Sequence, residues 1–200
     1  MARKTSFYYS FLVLPADQRR AIIAVWDFCR AVDDAVDEID LGGDQSSRAL
    51  SLATARNSLD LWRAELGRCY EAGEPRTPEG RQLQPFIDRF ALPRQAFADV
   101  IDGVAMDLDT TRYQTFDDLL RYCHRVASAV GLICIRIFGC QDPRASDYAV
   151  ALGVALQLTN IVRDVKDDLA RGRVYVPLDD MRTAGCEVED LAAGRLTARV

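Results

Sequence analysis

The sequence predicts an all-α protein that folds as a single-domain helical bundle. Apolar residues recur at steps of three and four along most of the chain, and no stretch shows the strict alternation of a half-buried strand. The composition, 49% hydrophobic and 28% charged over 200 residues, is typical of a globular domain with a packed core. Because no linker, repeat or low-complexity tract divides it, we expect residues 1–200 to form one domain.

The predicted helices follow one another between breaks that contain glycine or proline. The first runs from Pro15 to about Ile39 and ends at Gly42 and Gly43. The next are predicted over 47–70, 79–90 and the segment from Phe97 to Leu108. Longer ones are predicted over 116–138 and 145–169, and a final weak helix begins near Glu187.

Charge and hydropathy argue against several classes of protein. With 25 Lys+Arg against 30 Asp+Glu and no basic block, the chain lacks the phosphate-binding surface of a nucleic-acid module. The longest uncharged stretch, 148–162, is shorter than the roughly 20 residues of a membrane-spanning helix. The first residues lead into no hydrophobic signal core, so we expect a cytoplasmic protein.

Cysteine and histidine offer little catalytic chemistry in this sequence. The six cysteines form no CxxC pair, and His124 is the single histidine, which argues against a zinc site. We expect each cysteine to be a small, reduced core residue. The candidate chemistry is therefore that of carboxylates and arginines.

A first acidic stripe lies on the helix predicted over 15–39. With Trp26 as the reference and about 100° per residue, Arg30 lies near +40°, Asp33 near −20° and Asp37 near +20°. The stripe borders the apolar face, where little water screens the carboxylates. We therefore expect a positive group between Asp33 and Asp37.

A second acidic stripe lies on the helix predicted over 145–169. Its polar positions fall within about 80° of one another: Gly153, Gln157, Asn160, Asp164 and Asp168. Apolar side chains flank the stripe on both sides, which predicts a central, buried helix whose polar stripe lines a cavity. Arg163 is expected to pair with Asp167, one turn away.

The two stripes together favour a magnesium site. They contain oxygen ligands without nitrogen or sulfur, as a hard octahedral cation prefers. Mg²⁺ held by a few carboxylates normally bridges them to phosphate oxygens. The alternative is that the acids only form solvated helix faces, which we favour for Asp34, Glu38 and Asp167.

The segments around these stripes resemble the two Asp-rich motifs of the squalene/phytoene synthase family, the head-to-head prenyl diphosphate synthases. The motifs lie in 29–37 and 157–168. The flanking segments 14–21, 122–131 and 171–177 resemble the family in the same order, so the likeness covers nearly the whole chain. It implies a bundle of the isoprenoid synthase type with a central cavity.

Within the family, segments 102–116 and 136–139 most resemble bacterial presqualene diphosphate synthases of hopanoid and squalene biosynthesis. Family members extend beyond the position of Val200 with helices that help wall the cavity. We therefore expect this chain to be C-terminally incomplete relative to the family. His124 stands where relatives often carry an aromatic residue.

The resemblance implies a Mg²⁺-dependent transferase that condenses two farnesyl diphosphates to presqualene diphosphate and releases pyrophosphate, with Mn²⁺ as an alternative ion. It assigns the metal ligands to Asp33, Asp37, Asn160, Asp164 and Asp168. It assigns diphosphate binding to Ser6, Arg30, Arg163, Arg173 and Tyr175. It places Phe7, Trp26 and Gln157 in the substrate tunnel, and Tyr122 near the reacting carbons.

Simpler roles remain open for several of these residues. Tyr122 is equally well explained as a core tyrosine with a satisfied hydroxyl, and Phe7 and Trp26 as core packing. Arg173 has the alternative role of capping the preceding helix.

Other functions also remain open. One alternative product is phytoene, made from two geranylgeranyl diphosphates, and another is squalene. A further alternative is a non-catalytic helical scaffold. We expect no NADPH dependence, a preference that follows from the resemblance to enzymes that stop at presqualene diphosphate. The prenyl chains make transient membrane-surface contact plausible, although no basic amphipathic helix indicates it.

Overall fold

The computed structural model describes residues 11–37, 44–71 and 73–193, and these ranges are helical with short connections. After a 3₁₀ turn at Phe11–Val13, the α-helices are α1 (Ala16–Asp37), α2 (Gln45–Tyr70), α3 (Pro78–Phe90), α4 (Arg94–Asp109), α5 (Phe116–Cys123), α6 (Ala129–Ile137), α7 (Ala145–Ala170), α8 (Leu178–Ala184) and α9 (Val188–Ala193). The extended contact in the described part is a single isolated bridge between Arg112 and Val174. The all-α prediction is confirmed.

Side-chain caps begin three of the helices. Asp44 accepts the N–H of Ser47 at 2.8 Å and caps α2, and Thr77 caps α3. At α5, Thr115 and Asp118 form a reciprocal capping box. The starts predicted for α2 and α3 were therefore one or two residues late, because polar caps set where these helices begin.

The helix predicted over 116–138 is divided into three parts. A wide π turn, His124–Ser128, joins α5 to α6. The Ser128 hydroxyl donates to the carbonyl oxygen of Val150 on α7 at 2.9 Å, which ties the turn to that helix. The short helix α8 was not predicted. The end expected for the first helix at Gly42 and Gly43 lies outside the described residues.

The main core lies between α1, α2, α3, α4 and α6. At its centre the Phe28 ring makes edge contacts with Trp62 and Phe97, with centroid distances of 5.3 and 5.5 Å. A second cluster of buried residues lies where α5, α7 and the loop after α7 meet: Tyr113, Leu119, Tyr122, Cys123, Ile161 and Tyr175. All six cysteines are free thiols, but Cys140 is exposed, so the core assignment was wrong for it.

Helix α7 packs against α6, the π turn and α5 through glycines that allow close approach. A Cβ on Gly153 would lie 2.6 Å from the Cα of Ser128, and one on Gly131 would lie 2.7 Å from the carbonyl oxygen of Ala149. Neither position has room for a larger residue unless the helices separate.

The prediction that α7 is buried on both apolar flanks is wrong for the described part. The flank with Val154, Leu158 and Ile161 packs into the second cluster. On the other flank, Leu152 is 41% and Leu156 is 51% exposed. The described residues place packing partners on one side of the helix only.

By length and composition alone, α7 is the one helix of the described part that could cross a membrane. The uncharged stretch 148–162, which the sequence analysis judged too short to span a membrane, is only part of this helix. The core helix of a soluble protein also meets this criterion, but such a helix is mostly buried, whereas 17% of this window is buried. Helix α7 carries the polar residues Asn160, Asp164 and Asp168.

Candidate active site

The two acidic stripes lie on helices that share a packing partner. Helices α1 and α7 both pack against α6, and neither is a main packing partner of the other. The two stripes thus share α6 as a packing partner, but among the described residues their acids do not gather into a group of three that could hold a metal ion.

On α1, the stripe is open to solvent. Asp33 is exposed, and Trp26 is 36% exposed. The Arg30 guanidinium lies 3.7 Å from the Asp34 carboxylate, measured from Nε to Oδ2, so the nearby cation pairs with the outer acid of the motif. The side chain of Asp37, and the predicted residues Ser6 and Phe7, lie outside the described part of the structure.

On α7, Arg163 pairs with Asp164, not with Asp167 as the sequence predicted. Its Nε and Nη2 donate to the two oxygens of Asp164 at 2.7 and 2.5 Å. These hydrogen bonds hold the pKa of the Asp164 carboxyl below its usual value. The fork of a guanidinium favours this bidentate contact with a neighbouring carboxylate. Asn160 and Gln157 lie half-buried one and two turns before Asp164.

The end of α7 brings three predicted site residues into one narrow cleft. Asp168, Arg173 and Tyr175 all line it, together with apolar residues such as Ile161 and Val165. The backbone N–H of Arg173 donates to the carbonyl oxygen of Asp168 at 2.9 Å, which closes the turn between them. A predicted metal ligand and two predicted diphosphate ligands are thus neighbours.

Tyr122 and Tyr175 meet at a carboxylate that the sequence reasoning missed. The Tyr175 hydroxyl donates to Asp107 Oδ1 at 2.8 Å, and the Tyr122 hydroxyl donates to Asp107 Oδ2 at 3.1 Å. Tyr113 completes the group, with ring centroids 5.7 Å from Tyr122 and 5.8 Å from Tyr175. Asp107 is on α4, and the three tyrosines come from α5 and two loops.

A signal for Asp107 was present in the sequence. By helical spacing it lies within about 60° of Val100 and Val104, on the apolar face of its helix. An acid on an apolar face is more informative than an exposed one, because a buried carboxylate needs partners. Nothing in the spacing indicates that those partners are tyrosine hydroxyls.

Comparison with known proteins identifies this architecture. The sequence pattern that defines squalene/phytoene synthases matches residues 1–200. The chain belongs to the squalene/phytoene synthase family. Its match covers the segments that form both acidic stripes and the group of Asp107, Tyr113, Tyr122 and Tyr175.

Curated relatives and solved structures of the family agree with the fold. The chain is 39% identical over 199 residues to phytoene synthase 1 of Arabidopsis thaliana, covering 96% of this chain and 44% of that one. It is 38% identical to the phytoene synthase of Arthrospira platensis, covering 97% and 63%. The crystal structure of squalene synthase HpnC from Alicyclobacillus acidocaldarius superposes with a TM-score of 0.83 at 35% identity, covering 98% of this chain and 69% of that chain. A ligand-bound dehydrosqualene synthase also gives a TM-score of 0.83, at 30% identity, covering 98% and 65%.

The chain spans about half the length of the curated relatives it matches. The similarity to these relatives therefore concerns the part of their length that this chain spans.

The donor set of the family site fits a divalent cation shared with phosphate. Among the described residues, no three acidic, histidine or cysteine side chains lie close enough to hold a metal ion by themselves. The acids instead occur as i,i+4 pairs with oxygen ligands only, such as Asp164 and Asp168. Mg²⁺ is commonly held by one or two carboxylates, with water and substrate phosphates completing the octahedron. The oxygen ligands thus suit Mg²⁺ that completes its coordination with water or phosphate oxygens.

Proposed function

We propose that this protein catalyses the head-to-head condensation of two prenyl diphosphates with release of pyrophosphate. The observation that carries the proposal is the family match over residues 1–200, which retains all five oxygen-ligand positions of the two acidic motifs. A scaffold that had lost its chemistry would be free to lose one of these ligands.

In this proposal the acidic residues hold magnesium, and the arginines bind phosphate oxygens. Asp33 and Asp37 on α1, with Asn160, Asp164 and Asp168 on α7, would hold the ions. When bound, such ions would supply positive charge that offsets the charge developing on the diphosphate as the allylic C–O bond breaks. Arg173, beside Asp168, orients that leaving group, whereas the hydroxyl proton of Tyr175 is donated to Asp107 and is not available to the diphosphate.

Arg163 has a second role that follows from its contact. Because its guanidinium forms a bidentate pair with Asp164, it neutralises this carboxylate when no substrate is bound. Binding of a diphosphate would offer the guanidinium an alternative anion and make Asp164 available to a cation. The pair is exposed, so little free energy opposes this exchange.

The length of the prenyl chain distinguishes two candidate products. Resemblance in 102–116 and 136–139 favours two farnesyl units and presqualene diphosphate. The curated relatives described above are phytoene synthases, which supports the alternative of two geranylgeranyl units at least as well. The solved structures, a squalene and a dehydrosqualene synthase, support the condensation of two farnesyl units.

A single assay tests the activity and separates the products. The protein is incubated with Mg²⁺ and either farnesyl or geranylgeranyl diphosphate, pyrophosphate is measured, and the extracted lipid is identified by mass spectrometry. We expect pyrophosphate release that EDTA abolishes. The C₃₀ and C₄₀ products distinguish the two candidates. No release from either substrate would contradict the proposal and favour a non-catalytic scaffold.

Replacing one acid in each stripe tests the site assignment. Asp33→Asn and Asp164→Asn each keep the shape of the side chain but remove the charge. We therefore expect pyrophosphate release to fall by at least about 10²-fold in each. The matched control is Asp167→Asn, on the same helix as Asp164 but exposed and outside the stripe, which should keep its turnover. Unchanged turnover in both stripe variants, with helicity preserved by circular dichroism, would contradict the site.

A further inference from the structure

The half-buried carboxylate of Asp107 makes contacts that the proposed function does not yet use. It receives hydroxyl groups from Tyr122 and Tyr175, residues 15 and 68 positions away in the chain. Both tyrosines are more than nine-tenths buried, at 6% and 8% exposed. The donor side of each contact is therefore shielded from water, where hydrogen bonds are stronger than on a surface, and the acceptor is half-buried.

The number of hydroxyl protons determines which acceptor each tyrosine donates to. A tyrosine hydroxyl has one proton to donate and lone pairs with which to accept. The 2.8 and 3.1 Å contacts assign both protons to Asp107, whereas the two hydroxyl oxygens are 3.5 Å apart. The lone pairs of Tyr122 thus remain available as acceptors.

We propose that Asp107 is a positioning residue that accepts the hydroxyl proton of Tyr122 while Tyr122 removes the proton whose loss closes the cyclopropane ring. This inference rests on the proposed function and adds a proton pathway to it. Without a neighbouring proton acceptor, Tyr122 could act as a base only after losing its own hydroxyl proton, that is, as a buried phenolate. Burial first, and then the negative charge of Asp107, raise the pKa of Tyr122 well above its usual value, so that phenolate is strongly disfavoured.

The step balances in atoms and electrons. C1 of the ionised prenyl unit bonds to C2 of the second unit, which leaves the positive charge on C3 of that second unit. The C1–H bond then breaks, and its electron pair forms the C1–C3 bond of the ring. The proton passes to the Tyr122 oxygen as the hydroxyl proton of Tyr122 passes to Asp107 Oδ2. Tyr122 stays neutral, Asp107 becomes a carboxylic acid that later returns its proton to water, and no oxidant or reductant is needed.

Kinetics of four variants test the relay. Asp107→Asn, Tyr122→Phe and the double variant are compared with Tyr113→Phe, which removes a buried hydroxyl that makes no hydrogen bond to any described residue. The assay measures kcat, KM and the deuterium isotope effect with substrate labelled at C1. We expect Asp107→Asn to lower kcat by about 10²–10⁴-fold with little change in KM, because proton transfer loses its acceptor. Its isotope effect should increase.

The double variant separates a relay from independent effects. If Asp107 acts through Tyr122, the double variant is no slower than Tyr122→Phe. If the two residues act independently, the fold reductions in kcat of the two single variants multiply in the double variant. Tyr113→Phe should match the wild type. Two outcomes with an active wild type would overturn the relay alone. One is an Asp107→Asn variant whose kcat stays within about threefold of the wild type. The other is a double variant whose loss of kcat is the product of the two single losses. A wild type that turns over no prenyl diphosphate would overturn the proposed function and the relay with it.

A spectroscopic measurement checks the positioning without turnover. The tyrosine Fermi doublet in the Raman spectrum reports whether a phenol hydroxyl donates strongly. We expect Asp107→Asn to weaken the donor signal of two tyrosines and Tyr113→Phe to leave that signal intact. An unchanged spectrum in Asp107→Asn would overturn the assignment of Asp107 as the proton acceptor, and the same spectrum shows whether the variant is folded.

Discussion

Glu65 is a charged residue whose side chain is fully buried, at 0% exposed. Its Oε1 accepts the backbone N–H of Thr77 at 2.7 Å and the Thr77 hydroxyl at 3.0 Å, and its Oε2 accepts from Arg68. It therefore joins α2 to the N-terminus of α3. Burial alone would raise the pKa of Glu65, but hydrogen bonds from the backbone N–H groups of Thr77 and Arg76 and from Arg68 outweigh it and hold the pKa below its usual value.

Removing this charge should destabilise the protein measurably. Glu65→Gln leaves Arg68 without its anion and replaces an acceptor by a donor, so we expect a loss of about 1.5–3 kcal/mol in the free energy of unfolding. Urea denaturation at pH 7 measures it. The matched control is Glu71→Gln at the end of the same helix, whose exposed ion pair with Arg94 should contribute less than about 1 kcal/mol.

The effect of Glu65 should also depend on pH. Its folded-state pKa is lowered, so its stabilisation is fully present above the unfolded value of about 4.5 and is lost as pH falls through the lower folded value. The difference between wild type and Glu65→Gln should shrink at acidic pH. A constant difference down to pH 2 would contradict the role of the carboxylate.

At the scale of elements, the contact between the π turn and α7 positions the second acidic stripe. The absence of a side chain at Gly153 lets the two backbones approach, and the Ser128 hydroxyl fixes their relative position. A π turn in this place widens the helix locally, and such turns are frequent at functional sites. The orientation of the α7 polar stripe therefore depends on one small residue.

Adding one methyl group tests this contact. Gly153→Ala would place its Cβ 2.6 Å from the backbone of Ser128, so we expect a loss of about 1–3 kcal/mol from overpacking. The control is Gly67→Ala on α2, where the nearest atom is 3.8 Å away. Higher helix propensity should stabilise that variant by about 0.5–1 kcal/mol. Thermal unfolding compares the two, and a Gly153→Ala variant as stable as Gly67→Ala would contradict the close approach.

For the whole molecule, the distribution of packing around α7 is uneven. One flank packs into the second cluster of buried residues, and on the opposite flank Leu152 and Leu156 are 41 and 51% exposed. An exposed row of apolar side chains on a helix with a buried opposite face contributes little to the stability of this chain.

Two truncations on α7 should therefore differ widely. Ile161→Ala, at 5% exposed, should cost about 2–4 kcal/mol, whereas Leu156→Ala should cost less than about 1 kcal/mol. Both remove apolar atoms from the same helix, so helix propensity does not explain a difference. Equal losses in urea denaturation would mean that the open flank is covered in solution.

Local features were the most predictable from the sequence. Apolar periodicity and turn residues predicted the long helices, because both act within a few residues of the chain. The starts of α2 and α3 were missed by one or two residues since Asp44 and Thr77 cap them from outside the periodic pattern. The acidic stripes were recognised from spacing, yet the partner of Arg163 was not, because a neighbouring carboxylate and one a turn away are both within reach of a long side chain.

The sequence by itself determined that the chain is helical, that it carries two acidic stripes, and that it resembles one enzyme family, since each of these depends on residue order over short distances. Only the tertiary structure decided that Asp107 meets Tyr122 and Tyr175, that α7 packs on one side, and that a π turn fits against Gly153. These features depend on how distant segments pack, and helical periodicity sets which face of a helix is apolar without specifying what that face will meet.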